Sequence, residues 1–197
     1  MRTRDEQKTA AIQEMAVHML VKRGFDGLSM QKLAKAANVS PATLYIYYKD
    51  RDDLIVQVWA TEMRRMMAAS LEGFDPEMPF DKGLKVQWMN RAKFYIENPH
   101  AAHFMEQMKY SPYYERCRKQ VDPAFLTAMR EFIQNAIRRK ELVKLPLEIY
   151  WSIAFAPLYN LVKLHMSGHG MIGNEKFELN EKVMDQTLGL VLKALKP

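Results

Sequence analysis

Hydroxyls and positive charges gather between Ser29 and Arg51 in a pattern suited to phosphate oxygens. Tyr47, Lys49 and Arg51 offer one phenol and two cations at alternate positions, and Ser29 adds a second hydroxyl. Just ahead of them, Pro41, Ala42 and Thr43 are small enough to let a helix approach the edges of stacked bases. Tyr45 and Gln31 add polar tips to that base-reading group, and Ser40 stands at its start. This is the chemistry of a surface that grips a nucleic-acid backbone and reads bases.

Such residues act together only on a rigid support, and the intervening sequence describes one. Ser29 caps a short helix whose inward side is Leu33, Ala34 and Ala37. Asn38 falls where the chain must leave that helix, and Asn tolerates the left-handed conformation better than most residues. Val39 plugs the turn. Ser40 then caps a second helix with Pro41 at its first position, and Leu44 and Tyr48 turn inward. Two short helices across a three-residue turn make a helix-turn-helix, whose second helix fits the major groove of DNA.

The stretch Gly24–Leu54 resembles the DNA-binding head of the TetR family of transcriptional regulators. The matching residues are Gly24-Phe25, Leu28-Ser29, Leu33-Ala34, Val39-Ser40, Thr43-Leu44-Tyr45 and the run from Tyr47 to Leu54. The resemblance implies an all-α chain of about nine helices. Residues 1–50 would form the three-helix head, and residues 51–197 a larger helical domain for ligand binding and dimerisation. It also implies a cytoplasmic repressor, released from a palindromic double-stranded operator by a small molecule. In that family a basic arm ahead of the first helix also touches DNA, a role open to Arg2 and Arg4.

Composition is compatible with this and excludes several alternatives. The 197 residues, 48% of them hydrophobic, are enough for a substantial core. Net charge is +6, yet residues 1–54 hold nine Lys/Arg against seven Asp/Glu, so the case for DNA rests on the motif rather than on bulk charge. The single cysteine, Cys117, rules out an intramolecular disulfide and fits a reducing compartment. No apolar run is long enough to span a membrane. His100 and His103, like His165 and His169, lack companions for a metal site, and no triad, phosphate loop or CxxC pattern supports an enzyme or a cofactor.

Beyond the motif the chain reads as a series of helices. Residues 5–22 buttress the motif, with Gly24 ending that helix. Asp50 and Asp53 open a long helix that stops near Gly73. Further helices are expected at about 81–98, from Pro99, and from Asp122-Pro123 to Lys140. From Leu147 to Leu164 the apolar residues leave almost no polar side, so this is expected to be one helix covered all round. The last helix, about 180–195, carries two adjacent apolar stripes: Val183, Thr187, Leu190, Ala194 beside Met184, Leu188, Val191, Leu195. Residues 147–165 and 180–195 are therefore the expected homodimer interface, a four-helix bundle. With the resemblance in mind, Trp88, Phe104, Met108, Met129, Phe132, Trp151, Phe155 and Tyr159 are candidates to line a pocket for an apolar or aromatic effector. The competing reading is a helical dimer that binds a protein or carries an apolar ligand without touching DNA.

Overall fold

The computed structural model describes residues 2–172 and 175–197, with side chains from Asp5 onward. The side chains of Arg2 and Arg4, and two residues of the link before the last helix, lie outside the described residues. In chain order the helices are α1 (Arg2–Gly27), α2 (Met30–Ala36), α3 (Pro41–Tyr47), α4 (Arg51–Ser70), α5 (Phe80–Glu97), α6 (Pro99–Lys109), α7 (Tyr114–Cys117), α8 (Pro123–Arg138), α9 (Leu147–Ala154), α10 (Ala156–Ser167) and α11 (Glu181–Leu195). Among the described residues there is no strand, and no helix is long and apolar enough to cross a membrane.

The chain divides into two compact units. The first takes residues up to Arg65 together with Asn98–Val121, and the second takes Met66–Glu97 and Asp122–Pro197. In the first unit, Ile12, Ala16 and Leu20 of α1 pack with Leu33, Leu44, Tyr48, Leu54 and Val58. Phe104, Met108 and Cys117 belong to the same core, so α6 and α7 are part of the head's support. Burial pushes the Cys117 thiol up to about 11, which keeps it protonated and inert at neutral pH. At Gly24 the backbone turns to φ 66°, so the helical run of α1 breaks there, as expected from a glycine after Lys22-Arg23.

In the second unit, Phe80, Leu84 and Trp88 of α5 pack with Phe132, Phe155, Leu158, Leu188 and Leu195. Gly83 lets α5 approach Phe132 closely: an added Cβ would lie 2.4 Å from Phe132 Cε2 and 2.6 Å from Cζ. Gly83→Ala is therefore expected to destabilise the protein by about 1–3 kcal/mol, since the overlap outweighs the gain in helix propensity of about 1 kcal/mol. A thermal melt of the variant checks it.

Two departures from the expected helices have local causes. The apolar stretch from Leu147 to Leu164 is two helices, α9 and α10, broken at Phe155 (φ −126°, ψ −24°). Pro157 has no N–H for the carbonyl four residues back, and its ring is tolerated only in a first turn. The break frees the Ala154 carbonyl, which accepts the indole N–H of Trp88 at 2.8 Å. The short α7 is the other addition, and with these two the expected nine helices become eleven among the described residues. On α11 the two stripes part: Met184, Leu188, Val191 and Leu195 are buried, while Leu190 is 61% exposed and Ala194 is also exposed.

Candidate nucleic-acid interface

Caps and one left-handed residue shape the head. Ser29 Oγ accepts the Lys32 N–H at 3.2 Å and starts α2. At the other end Asn38 adopts φ 53°, and the Val39 N–H donates to the Ala34 carbonyl at 2.9 Å, closing the turn. Ser40 Oγ then accepts the Thr43 N–H at 3.1 Å, with Pro41 in the first turn of α3. Leu44 and Tyr48 are buried beneath α3 and hold it against the unit's core. Asp50 Oδ1 accepts the Asp53 N–H at 2.8 Å and Asp53 Oδ2 accepts the Lys49 N–H at 2.9 Å, so the chain passes into α4 with its first donors satisfied.

This support leaves one side of α3 bare. Pro41, Ala42 and Tyr45 are exposed, Tyr45 by 54%. Gln31, Ser40 and Lys49 are exposed too, and the Lys49 ammonium has no ion pair among the described residues. Ile46 was not among the expected contacts, yet it is 75% exposed. Its spacing of four from Ala42 was the available signal, because it places both on the side opposite Leu44 and Tyr48. An exposed isoleucine there offers apolar contact to a thymine methyl group.

The remaining expected contacts are already engaged. Thr43 Oγ1 lies 2.9 Å from Ser40 Oγ, so these hydroxyls are shared between capping and any outside partner. Ser29 Oγ accepts within its cap but keeps a proton to donate. The Tyr47 hydroxyl donates to Asp5 Oδ1 at 2.5 Å, and this bond is the first cause of a phenol pKa raised above the ordinary value. The Asp5 carboxylate thus already takes the donor that a phosphate contact at Tyr47 would need. Asp5→Asn is therefore expected to raise DNA affinity about 3- to 10-fold at low salt, an advantage that narrows as salt screens the charge. Titrations of one DNA fragment at two salt concentrations measure it.

Arg51 is a correction. Its guanidinium turns inward, with Nε donating to the Leu28 carbonyl at 2.9 Å and Nη2 donating to the Phe25 carbonyl. Nη1 donates to the Tyr113 hydroxyl at 3.0 Å and to Asp52 Oδ1 at 3.4 Å. It fastens the end of α1 to α4 rather than waiting for a phosphate.

The expected pocket residues also separate. Phe104 and Met108 are fully buried in the first unit's core. Trp88, Met129 and Phe132 are buried within the second unit, Trp88 by its bond to Ala154. Trp151, Phe155 and Tyr159 converge on a buried arginine, Arg91, which sequence reading did not single out.

A capped helix-turn-helix with one bare, small-residue side and a cation at its end defines the head as a DNA-binding module. Residues 12–58 match the family described as bacterial regulatory proteins, tetR family. An uncharacterised HTH-type transcriptional regulator of Haemophilus influenzae is 35% identical over 104 residues, which is 52% of this chain and 55% of that protein. The chain thus spans about half the length of that curated relative. Two crystal structures share the fold across nearly the whole chain. One is a TetR family transcription regulator from Marinobacter aquaeolei VT8 (TM-score 0.79, 24% identity, 100% of this chain and 99% of that one). The other is a TetR-family regulator from Haemophilus influenzae (TM-score 0.81, 23% identity, 98% of each chain). Residues 12–58 thus carry a tetR-family head, and the chain as a whole has the fold of TetR-family regulators.

Proposed function

We propose that this protein is a cytoplasmic, homodimeric repressor that binds a pseudo-palindromic operator and leaves it when a small effector binds. The observation that carries the reading is the bare side of α3, where Pro41, Ala42, Tyr45 and Ile46 stand exposed on a helix fixed by Ser40, Leu44 and Tyr48. Two such helices in a dimer would enter successive major grooves about 34–36 Å apart. Support for the dimer comes from apolar side chains left exposed in the regions expected to pair: Leu147 and Ile149 on α9, and Leu190 on α11. Gln31, Pro41, Ala42, Thr43, Tyr45 and Ile46 would read bases. Ser29, Ser40, Tyr47 and Lys49 would hold the backbone. An effector acts by binding better to a conformation whose two heads no longer match the half-site spacing.

Selection of bound fragments from sheared genomic DNA of the source organism tests the reading. The native protein is expected to enrich a few short palindromes. Lys49→Ala is expected to weaken every fragment alike, about 5- to 20-fold, and to flatten the salt dependence. Ile46→Ala is expected instead to relax preference at one base pair of each half-site. Absence of enrichment at low salt, with salt-insensitive capture of a protein partner, would favour the interaction-module reading.

A further inference from the structure

Arg91 is the largest unexplained feature of the second unit. It is fully buried, and no carboxylate lies within ion-pair distance of it among the described residues. Neutral groups hold it instead. Nε and Nη2 both donate to Gln87 Oε1, at 3.2 and 3.0 Å, and Nη1 donates to the Tyr159 hydroxyl at 2.9 Å. A second Nη1 contact runs to Met66 Sδ at 3.6 Å. Three rings surround the guanidinium carbon: Phe155 at 4.6 Å, Trp151 at 5.4 Å and Phe125 at 5.7 Å.

This arrangement is complete as a cradle and incomplete as an ion pair. A guanidinium has five N–H donors, and one on Nη2 has no partner among the described residues. The Tyr159 hydroxyl accepts from Arg91 and has its own proton to give. Two unassigned donors therefore sit beside a buried positive charge, a combination that one carboxylate would satisfy in a bidentate manner. The rings, and Met66 beside them, suit an apolar body attached to that carboxylate. The cage also lies one side chain from solvent, because Trp151 is 37% exposed while its ring faces the guanidinium. A dianion such as phosphate is the poorer match, since it would bring a second negative charge and more acceptors than the two donors can serve.

We propose that Arg91, with Tyr159, recognises the carboxylate of the effector, and that the effector is an apolar monocarboxylic acid. This rests on the reading of the protein as an effector-responsive regulator and narrows its ligand to an acid.

The test uses the full-length protein and matched probes: octanoate, decanoate and 3-phenylpropionate, each beside its methyl ester. Thermal melts and tryptophan fluorescence are read with and without each compound. At least one acid is expected to raise the melting temperature by several degrees and to perturb Trp151 emission saturably, with its ester inactive. Arg91→Met is expected to lose the response to the acid, and Arg91→Lys to retain part of it. Should Arg91→Met fail to fold, Tyr159→Phe keeps the ring and is expected to weaken acid binding several-fold. Equal stabilisation of native protein and Arg91→Met by the acids would place them elsewhere and overturn the proposal. Stabilisation by esters as strongly as by acids would also overturn it, while leaving an effector-responsive regulator intact. No response to any acid would overturn it as well, and the regulator reading would then stand or fall on the genomic selection.

Discussion

Arg51→Ala is expected to lower the unfolding free energy by about 2–4 kcal/mol, a loss visible in urea denaturation without any DNA present. Arg51 stands at the start of α4, and its guanidinium reaches back to where α1 has run out of helix. The Phe25 and Leu28 carbonyls have Arg51 as their side-chain donor. Truncation leaves the Leu28 carbonyl without its side-chain donor and the Phe25 carbonyl with only the Leu28 N–H at 3.2 Å, at about 1–3 kcal/mol for an acceptor that water cannot reach. It also removes the donor to Tyr113, whose hydroxyl in turn donates to Asp52 at 2.8 Å and whose ring packs 5.5 Å from Phe25. The Arg51 side chain is 31% exposed, so water relieves part of the loss and the upper end of the range is a limit. Arg51→Lys should recover only a fraction, because a single ammonium cannot serve carbonyls in two directions. Had Arg51 been a phosphate contact, the same variant would unfold at the native urea concentration and lose only DNA affinity.

That residue shows what kind of information the sequence carried. Ser29, Ser40 and Asp122 each cap the helix expected of them, and Asn38 takes the left-handed turn. Each of these signals acts within four residues, where side-chain type and backbone geometry are coupled directly. Arg51 could not be read that way. Its partners lie 23, 26 and 62 residues distant, and an arginine after a recognition helix looks the same whether it points out or in. The break at Phe155 is a different case. Pro157 is visible in the sequence, but the large apolar residues on both sides of it form one continuous apolar run. On α11 the doubled stripe was legible, whereas its division into one buried stripe and one half-buried to exposed stripe depended on where α9 and α10 lie. Arg91 had a signal too. Gln87 and Arg91 fall beside Leu84, Trp88 and Ala92 on a side of α5 that the apolar spacing already marked as buried. Charge alone suggested solvent, and position argued otherwise.

The consequence at Arg91 is an expected inversion between two substitutions four residues apart. Gln87→Leu is expected to cost about 3–5 kcal/mol, and Arg91→Met less than about 1 kcal/mol. Gln87 supplies the oxygen that takes two of the arginine's bonds, and it is pinned there by its own Nε2 donating to the Ser70 carbonyl at 2.8 Å. Removing it leaves a buried cation with one neutral hydroxyl, a thioether and ring faces, the situation in which an uncompensated charge is most costly. Ring faces recover about 2 kcal/mol when desolvated but accept no directed N–H bond of the kind the Gln87 oxygen takes, so they do not replace the lost acceptor. Removing the charge works the other way. Methionine fills much of the same volume, and the desolvation of a guanidinium no longer opposes folding, which offsets the bonds lost and the acceptor left on Gln87. The double variant should therefore be more stable than Gln87→Leu alone, a coupling that a four-member cycle in urea measures directly. An Arg91→Met protein as unstable as Gln87→Leu would mean that the charge is already compensated within the fold. A compensated arginine would have no call on an acid from outside.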